Sequence, residues 1–462
     1  MSGAALSGSG RRPALWLTFV AVHGWLTYLG VVVAPSTSFY DVDLYRYWMF
    51  QALDQGSWPV LDQPWVYPAA AVLPMLVPAL VSTWSTTAYA LAWCAMVAVL
   101  DALAVVVLLR RGPRARPTPA AVGVADDRGV WWWLAFLVLL GPVAIGRLDA
   151  VVAPLLVIAL VLAVGSERGV RLAAGLLTLG AWIKVAPGAL LLPLATASRR
   201  PLRQVVLPAA AVCGVVVLAV AAGGGASRLL GFLDTQGTRG LQVEATGATP
   251  WMLASLVRED VSIQLNEGLI TYEVQGPGAA GASAVLGLLL PLLVAVVAAV
   301  LLVARRRDRG PEALLPGALT LLAVLIVANK VGSPQFLTWL AAPITVALTL
   351  RPPGRGDDRP ALGSTAEPGR TLRMPSPWTV GAALLTLLAA GLTQLVFPWG
   401  YMGLLTGDVP VSVALALRNV TLLGILVCAA AWLVGAVRAP ADAPGPTTPE
   451  PVTRRAERPP GR

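Results

Sequence analysis

Long apolar runs, most of about 15 to 25 residues, alternate with short polar segments along nearly the whole chain. An apolar run of about 20 residues is long enough to cross the hydrocarbon core of a bilayer as an α-helix. The pattern therefore predicts an all-α integral membrane protein, a polytopic bundle of about twelve transmembrane helices. The predicted spans are 14–34, 88–109, 130–145, 149–165, 172–184, 185–198, 205–222, 279–304, 311–328, 336–350, 378–396 and 415–437.

Two segments do not follow the simple pattern of one run for one span. The run 66–81 is short and contains three prolines, which favours a re-entrant or interfacial element. The run 172–198 is interrupted at Lys184 and Pro187, and we expect it to cross twice. Each half would reach only about 20 Å, against about 30 Å of hydrocarbon, so the bilayer must thin there or neighbouring helices must shield the turn.

The composition agrees with this class of protein. Hydrophobic residues make up 56% of the chain and charged residues only 13%, which excludes an ordinary soluble domain. The three cysteines, Cys94, Cys213 and Cys428, lie inside apolar spans and predict neither a disulfide framework nor a metal site. The only histidine, His23, lies within the first span and suits packing in the bundle. We therefore predict no metal site.

Basic residues lie mainly in short loops and in a proline-rich C-terminal tail, which indicates cytoplasmic segments. The net charge of +10 thus reflects membrane topology, and we predict no nucleic-acid partner. The expected division is a cytoplasmic N-terminus at 1–13, a membrane domain at 14–437 and a disordered cytoplasmic tail at 438–462. The basic clusters are 11–12, 110–116, 168–171, 199–203, 305–309 and 351–373.

On this topology the loops 35–87 and 223–278 face outward, and the first contains the string FYDVDLYRYW at 39–48. Ionisable groups at the edge of a bilayer are costly and usually functional. If the string is helical, Asp41, Tyr45 and Trp48 lie on one face and Asp43 on another, and either face could present a carboxylate to a lipid-borne substrate. The alternative is an interfacial helix with aromatic rings at headgroup level and hydrated aspartates.

Further polar residues gather on the same predicted face. A cation near membrane depth needs an anionic partner, and a lipid-borne phosphate is one candidate. The alternative for Lys184 is snorkelling to the interface, and the alternative for Lys330 is a simple loop charge. The predicted cytoplasmic loops contain no nucleotide-binding glycine motif, so an ATP-driven or nucleotide-sugar reaction has no support. The predicted outer residues are Arg147 and Asp149 in GRLD, Lys184 in WIKVAP, Arg239, Gln242 and Glu244 in RGLQVE, and Lys330, Ser333 and Gln335 in NKVGSPQF.

Five motifs occur in an order that resembles glycosyltransferase family 87, whose members are GT-C integral membrane mannosyltransferases. The resemblance covers about residues 14–350 and implies a GT-C-type bundle similar to that of the phosphatidylinositol-mannoside mannosyltransferases. This chain has YPAAA in place of YPP, Arg147 where glutamine often follows the glycine, and two aspartates rather than one. The motifs are D-x-x-[VL]-Y at 41–45, YP at 67–68, RxxAGLLxxxxxIKxxPxxLL at 171–191, RGLQVE at 239–244 and SPQF at 333–336.

The resemblance implies inverting transfer of a hexose, mannose, at the outer face of the plasma membrane. The donor would be a polyprenyl-phosphate sugar, a substrate and not a cofactor, and the acceptor a lipid-linked or glycan hydroxyl among membrane lipids. Asp41 matches the family's base and Asp43 is the second candidate, because a sugar hydroxyl needs a general base. The implied substrate-binding residues are Tyr45, Tyr67, Arg147, Lys184, Arg239, Gln242, Glu244, Lys330 and Gln335.

Within that set, Lys184, Lys330 and Arg239 would stabilise the leaving phosphate. Gln242 and Glu244 suit recognition of sugar hydroxyls, or else cap and pack the loop. A transporter or flippase of a lipid-linked sugar is the competing function, but a transporter should place paired polar groups along a path across the membrane. Apart from the residues of the predicted outer face, Asp101 is the only ionisable residue that we expect in the middle of a span. This clustering of ionisable residues on one face disfavours a transporter and also a purely structural scaffold.

Overall fold

The computed structural model describes residues 8–111, 127–233, 239–268, 270–349 and 376–438, and these are mostly α-helical. Most of the basic segments expected at 110–116 and 351–373 lie outside the described residues. The same holds for the first seven residues and for the tail expected to be disordered, apart from Arg438.

The helices follow one another with short connections. In chain order they are α1 (Gly8–Tyr28), α2 (Pro35–Ser38), α3 (Tyr40–Gln55), α4 (Val72–Ala79), α5 (Thr86–Arg111), α6 (Arg128–Leu140), α7 (Asp149–Gly165), α8 (Glu167–Ile183), α9 (Ala186–Ala189), α10 (Leu191–Ala197), α11 (Leu207–Ala222), α12 (Thr249–Ala254), α13 (Ala279–Arg306), α14 (Gly310–Val327), α15 (Leu337–Thr349), α16 (Pro377–Gln394), α17 (Tyr401–Leu405) and α18 (Val409–Arg438).

Seven helices of the described chain, α1, α5, α11, α13, α14, α16 and α18, are long and apolar enough to cross a membrane, α11 only together with the π-helical turn Leu202–Val206 that leads into it. An α-helical membrane protein is thereby confirmed. The other expected spans correspond to the shorter helices α6, α7, α8, α10 and α15. The 13-residue helices α6 and α15 are about 20 Å long, so the count of twelve crossings stays a prediction.

The run 172–198 breaks where the sequence predicts a turn. Lys184 has an extended backbone between α8 and α9, and its N–H still bonds Gly180 O at 2.7 Å. Pro187 lies in the first turn of α9, where its missing N–H costs no helical hydrogen bond. The break thus holds the Lys184 side chain between helices instead of on a helix face.

The segment 66–81 contains one short α-helix after a 3₁₀ turn at Ala69–Ala71. The eight residues of α4 extend about 12 Å, too short to cross a bilayer alone. Its surface is apolar and open, with Leu73 and Val77 about half exposed. Such a surface suits contact with lipid.

The last helix begins earlier than the expected boundary at 415. Asp408 precedes α18, and its carboxylate accepts a long hydrogen bond from Val411 N at 3.4 Å. Its carbonyl accepts from Ser412 Oγ at 2.9 Å, and Pro410 fits the first turn. The loop expected at 397–414 is therefore shorter, and the helix gains a turn that the hydropathy pattern does not show.

Burial separates central helices from peripheral ones. Most of α7 and α14 and nearly all of α15 are buried, as expected for helices that are apolar on every side. By contrast, α11 and α13 expose most of their apolar surface, including Leu218 and Leu288. A membrane would cover these exposed faces, which places α11 and α13 at the lipid boundary.

The predicted loop 223–278 contains a β-hairpin that the sequence analysis did not predict. Strands β1 (Ser262–Asn266) and β2 (Thr271–Gln275) pair antiparallel, and Ser262 faces Gln275. A separate bridge joins Gln242 to Glu273 on the other edge of β2. The hairpin therefore supports the RGLQVE segment, whereas the loop 35–87 contains the helix expected there, α3.

Candidate active site

Asp41 lies in the first turn of α3, where a carboxylate interacts favourably with the helix dipole. The α-helix turns Tyr45 to the same side, as predicted, and buries it almost completely. Asp41 keeps 26% of its side chain exposed. The helix thus anchors itself through Tyr45 and leaves Asp41 within reach of a substrate.

Arg147 is the ion-pair partner of Asp41. Its Nε lies 3.0 Å from Asp41 Oδ2, and its Nη1 donates to Ser38 O at 2.6 Å. The preceding Gly146 makes this approach possible, because a Cβ there would meet Ser38 O and the Phe39 ring at 2.8 Å. Arg147 therefore fixes the start of α3 and neutralises the candidate base.

Asp43 has different hydrogen-bond partners from Asp41. Its Oδ1 accepts from Arg46 Nε at 2.7 Å and from Thr86 Oγ1 at 2.8 Å. Burial opposes ionisation, but these hydrogen bonds and the Arg46 charge outweigh it, so the pKa of Asp43 lies below its usual value. Arg46 also donates to Thr83 O at 2.7 Å. Asp43 thus ties α3 to the start of α5, and neither of its hydrogen bonds is to another predicted site residue.

Lys184 and Asp149 form a second ion pair, with Nζ and Oδ2 3.2 Å apart. Asp149 is 1% exposed, and its Oδ1 accepts from Trp339 Nε1 at 2.7 Å. Lys184 Nζ also lies 5.4 Å from the ring centre of Tyr67 and 5.8 Å from that of Phe336, within cation–π range. The break after α8 therefore brings Lys184 to α7, to Phe336 just before α15 and to the YP segment at once.

Tyr45 and Tyr67 stand between the two ion pairs. Their ring centres are 6.3 Å apart, and Tyr45 OH accepts from Leu148 N at 3.3 Å. Burial raises the pKa of Tyr67 above its usual value. Trp48 and Trp65 complete an aromatic wall around Tyr67, with ring centres 6.0 and 5.7 Å from it. The Nε1 of buried Trp65 has no hydrogen-bond partner among the described residues.

The segments 239–245 and 329–335 form a third part of the site. Gln242 N donates to Lys330 O at 3.0 Å. With its amide oriented to satisfy both neighbours, Gln242 donates to Gly332 O and accepts from Arg239 Nη1, each at 3.1 Å. A Cβ at Gly332 would collide with the backbone of Glu244, so only glycine allows the two segments to approach this closely.

Arg239 and Gln335 offer polar groups that the described residues leave unsatisfied. Arg239 Nε and Gln335 Oε1 are buried and have no hydrogen-bond partner in the described parts of the chain. Burial lowers the pKa of the Arg239 guanidinium, while Tyr67 and Glu273 nearby oppose the shift. Because buried polar groups are nearly always paired, such atoms indicate a place for ligand or water.

Glu244 contacts Arg418 of α18. Arg418 Nη1 lies 3.3 Å from Glu244 Oε2, and Arg418 Nη2 donates to Glu244 O at 2.6 Å. Both side chains are buried. The structure thus places Glu244 beside an arginine that the sequence analysis did not single out.

Two contacting residues were missed, Trp339 and Arg418. A signal existed for Arg418, because an arginine ten residues into a 30-residue apolar helix is costly unless it is paired. The expectation that only Asp101 lies mid-span was therefore incomplete. Asp101 itself pairs with His23, at 3.0 Å between Oδ2 and Nε2.

No group of three or more His, Cys, Asp or Glu side chains in the described ranges is placed to hold a metal ion, and we assign no metal ligands. Lys330 contributes its carbonyl to the site through Gln242, and its side chain is half-buried.

Long apolar helices around buried ion pairs define a polytopic helical membrane protein with a charged site. Residues 65–334, more than half of the chain, match the family model for glycosyltransferase family 87. The chain therefore belongs to this family, as its motifs predict, and is a membrane glycosyltransferase. Neither a curated protein nor a solved structure matches it. The matched range contains Tyr67, Arg147, Lys184 and Arg239, while Asp41 precedes it.

Proposed function

We propose that the protein transfers mannose from a polyprenyl-phosphate donor to a hydroxyl of a lipid-linked or glycan acceptor. The reaction takes place at the outer face of the plasma membrane, and both termini are cytoplasmic. One observation supports this most directly: the partly exposed carboxylate of Asp41 lies beside Arg147, near the Tyr45–Tyr67 pair and Lys184. A base next to cationic groups suits attack by a hydroxyl with departure of a phosphate.

In the proposed step, the acceptor oxygen forms a bond to the anomeric carbon while the bond from that carbon to the phosphate oxygen breaks. Asp41 takes the hydroxyl proton, and the polyprenyl phosphate leaves with the electron pair. Attack opposite the leaving group inverts the anomeric configuration. No oxidant or nucleotide is consumed, so the lipid-linked donor is the only activated reactant.

Arg239 is the best candidate for the first contact with the donor phosphate. Its Nε is a buried donor without a partner in the described chain, whereas Arg147 and Lys184 already have carboxylate partners. An arginine binds phosphate through several N–H groups at once. Lys184 would then add charge as the leaving group develops, together with the Lys330 loop.

Transport of a lipid-linked sugar is less well supported, because the chain belongs to a glycosyltransferase family.

The test is a transfer assay with purified protein in nanodiscs. Polyprenyl-phosphate-mannose, polyprenyl-phosphate-glucose and a nucleotide-linked mannose are offered with glycolipid acceptors, and the anomeric configuration of the product is read by NMR. We expect inverted transfer from the lipid-linked mannose only, and its loss in D41N. Transfer from the nucleotide sugar, or retention of configuration, would refute the proposal.

A further inference from the structure

Trp65 has a buried indole N–H without a hydrogen-bond partner among the described residues. The side chain is 7% exposed, and an indole nitrogen can only donate, so it needs an acceptor. Trp93 and Trp132, by contrast, donate to Ile145 O at 2.8 Å and to Ala383 O at 3.3 Å. Because buried donors are nearly always paired, Trp65 Nε1 indicates an acceptor supplied by a bound molecule.

The aromatic wall around Tyr67 surrounds this donor. The Trp65 ring lies edge to face with Trp48 and Tyr67, with ring centres 5.6 and 5.7 Å away, and Trp48 and Tyr67 pair in the same way at 6.0 Å. Trp48 and Tyr67 are half-buried, so part of their ring surface is accessible. The negative face of an aromatic ring attracts groups with a small positive charge, such as the C–H groups of a sugar.

The loop 57–63, just before Trp65, is closed by its own hydrogen bonds. Trp58 N donates to Asp62 Oδ2 at 2.7 Å, and Asp62 N donates to Trp58 O at 2.9 Å. Val60 has a φ of 69°, a strained value for a β-branched residue, and such strain is typical of ligand-binding segments. A loop closed in this way can move as one piece, which would give a ligand access to Trp65 Nε1.

The aromatic wall lies between the candidate base and a candidate phosphate contact. The Tyr67 ring centre is 5.4 Å from Lys184 Nζ and 6.3 Å from the ring centre of Tyr45. Asp41 lies one helical turn before Tyr45, and Trp48 is about 10 Å from Asp41 along the axis of α3. The sugar part of a substrate that reacts at Asp41 would therefore be close to these rings.

We propose that Trp65 and the aromatic wall form a hexose-binding subsite, in which Trp65 Nε1 donates to a sugar hydroxyl and a C–H face of the sugar packs on Trp48 and Tyr67. A hydroxyl suits this donor better than a phosphate, because the described ring contacts of Trp65 are aromatic and include no cation. The inference rests on the proposed function and deepens it. The hexose belongs either to the donor or to the acceptor, and the experiment distinguishes the two.

The test follows the indole N–H signals of the wild-type protein by NMR, in nanodiscs and with ¹⁵N-labelled tryptophan. Polyprenyl-phosphate-mannose, mannosyl diacylglycerol and sugar-free polyprenyl phosphate are added separately. We expect a sugar lipid to shift the Trp65 signal and polyprenyl phosphate to leave it unchanged. A response to the first lipid assigns the hexose to the donor, and a response to the second assigns it to the acceptor.

The variant W65F identifies the signal and tests its contribution, because phenylalanine keeps an aromatic ring but has no N–H. We expect kcat/KM for the responding lipid to fall about threefold to tenfold, the range for one neutral hydrogen bond. The matched control is W132F, which loses the same atoms where α6 meets α16 and should keep wild-type kcat/KM per folded protein. If W65F does not fold, W65Y identifies the signal and the wild-type titration decides.

Three results would overturn the inference. An equal shift with sugar-free polyprenyl phosphate would make Trp65 a phosphate contact, and no shift with either sugar lipid would leave its N–H to water. Wild-type kcat/KM for both substrates in folded W65F would also contradict it. The titration needs no turnover, so a shift in a protein that transfers no mannose would support the subsite and refute the proposed function. Transfer without any shift would refute the subsite alone.

Discussion

At the scale of single residues, two aspartates two positions apart have different surroundings. Asp41 faces Arg147 and the tyrosine pair, whereas Asp43 is held by Arg46 and Thr86 at the outside of α3. We expect D41N to lower turnover about 10²-fold to 10⁴-fold, the range for loss of a general base. We expect D43N to stay near wild type, since a 45% exposed carboxylate contributes little through its ion pair.

Initial rates at equal amounts of folded protein test this assignment. D43N is the matched control, because it removes the same charge from the same helix. An active D41N with an inactive D43N would reverse the roles.

Lys184 requires a double variant, because it has two possible roles. K184M alone leaves Asp149 buried without its cation, and we expect a loss of about 3–5 kcal/mol in stability. K184M/D149N removes both charges, and the amide oxygen that D149N introduces can still accept from Trp339, so thermal stability should recover. If Lys184 binds the donor phosphate, kcat/KM for the donor stays about tenfold to a hundredfold low in the stable double variant.

Thermal unfolding measures the stability of K184M and K184M/D149N, and donor titration measures their kcat/KM for the donor. Full recovery of donor kcat/KM in K184M/D149N would remove Lys184 from the phosphate site and leave it a structural partner of Asp149.

At the scale of elements, the site depends on two segments that meet at Gly332. An alanine there would drive its Cβ into the backbone of Glu244 and Ala245. We expect G332A to separate the segments, to cost about 1–3 kcal/mol of stability and to lower activity strongly. The control is G281A in α13, where a Cβ meets nothing within 4 Å and alanine favours the helix.

Melting temperature and initial rate of both variants test this prediction. Wild-type activity in G332A would show that the close approach of the two segments is not needed.

Helices and helix breaks could be predicted from the sequence where a local residue pattern determines them. Hydropathy gives the long helices, and Lys184 with Pro187 gives the break after α8. The β-hairpin has a weaker signal in the sequence. Polar and apolar residues alternate in SIQLN and in TYEVQ, and Asn266, Glu267 and Gly268 lie where the chain turns between them. Apolar runs alone do not reveal strands of five residues.

At the scale of the whole molecule, the partners of the buried charged side chains could not be predicted from the sequence. Asp149 meets Trp339 across 190 positions, and Glu244 meets Arg418 across 174. Motif order brought Asp41, Tyr67, Lys184 and Arg239 into one set, but it contains no information about which cation neutralises which carboxylate. That choice depends on how α7, α15 and α18 pack.

The orientation in the membrane is tested on the whole chain. In a background without the three native cysteines, we expect Q55C and V257C to react with an impermeant maleimide in intact cells. Both positions are exposed, Val257 at 85%. We expect A115C to react only after permeabilisation, because the basic loop is predicted to be cytoplasmic. Labelling of A115C alone in intact cells would invert the topology.

The unsatisfied Nε of Arg239 has a further consequence for the catalytic cycle on the proposed chemistry. The donor enters as a phosphodiester with one negative charge, and the carrier leaves as a phosphomonoester with a charge of about −1.5 to −2 at neutral pH. A guanidinium that attracts the donor therefore attracts the spent carrier more strongly. Turnover would then depend on how quickly the surrounding membrane removes the spent lipid, so enzyme output would follow carrier recycling as closely as donor supply.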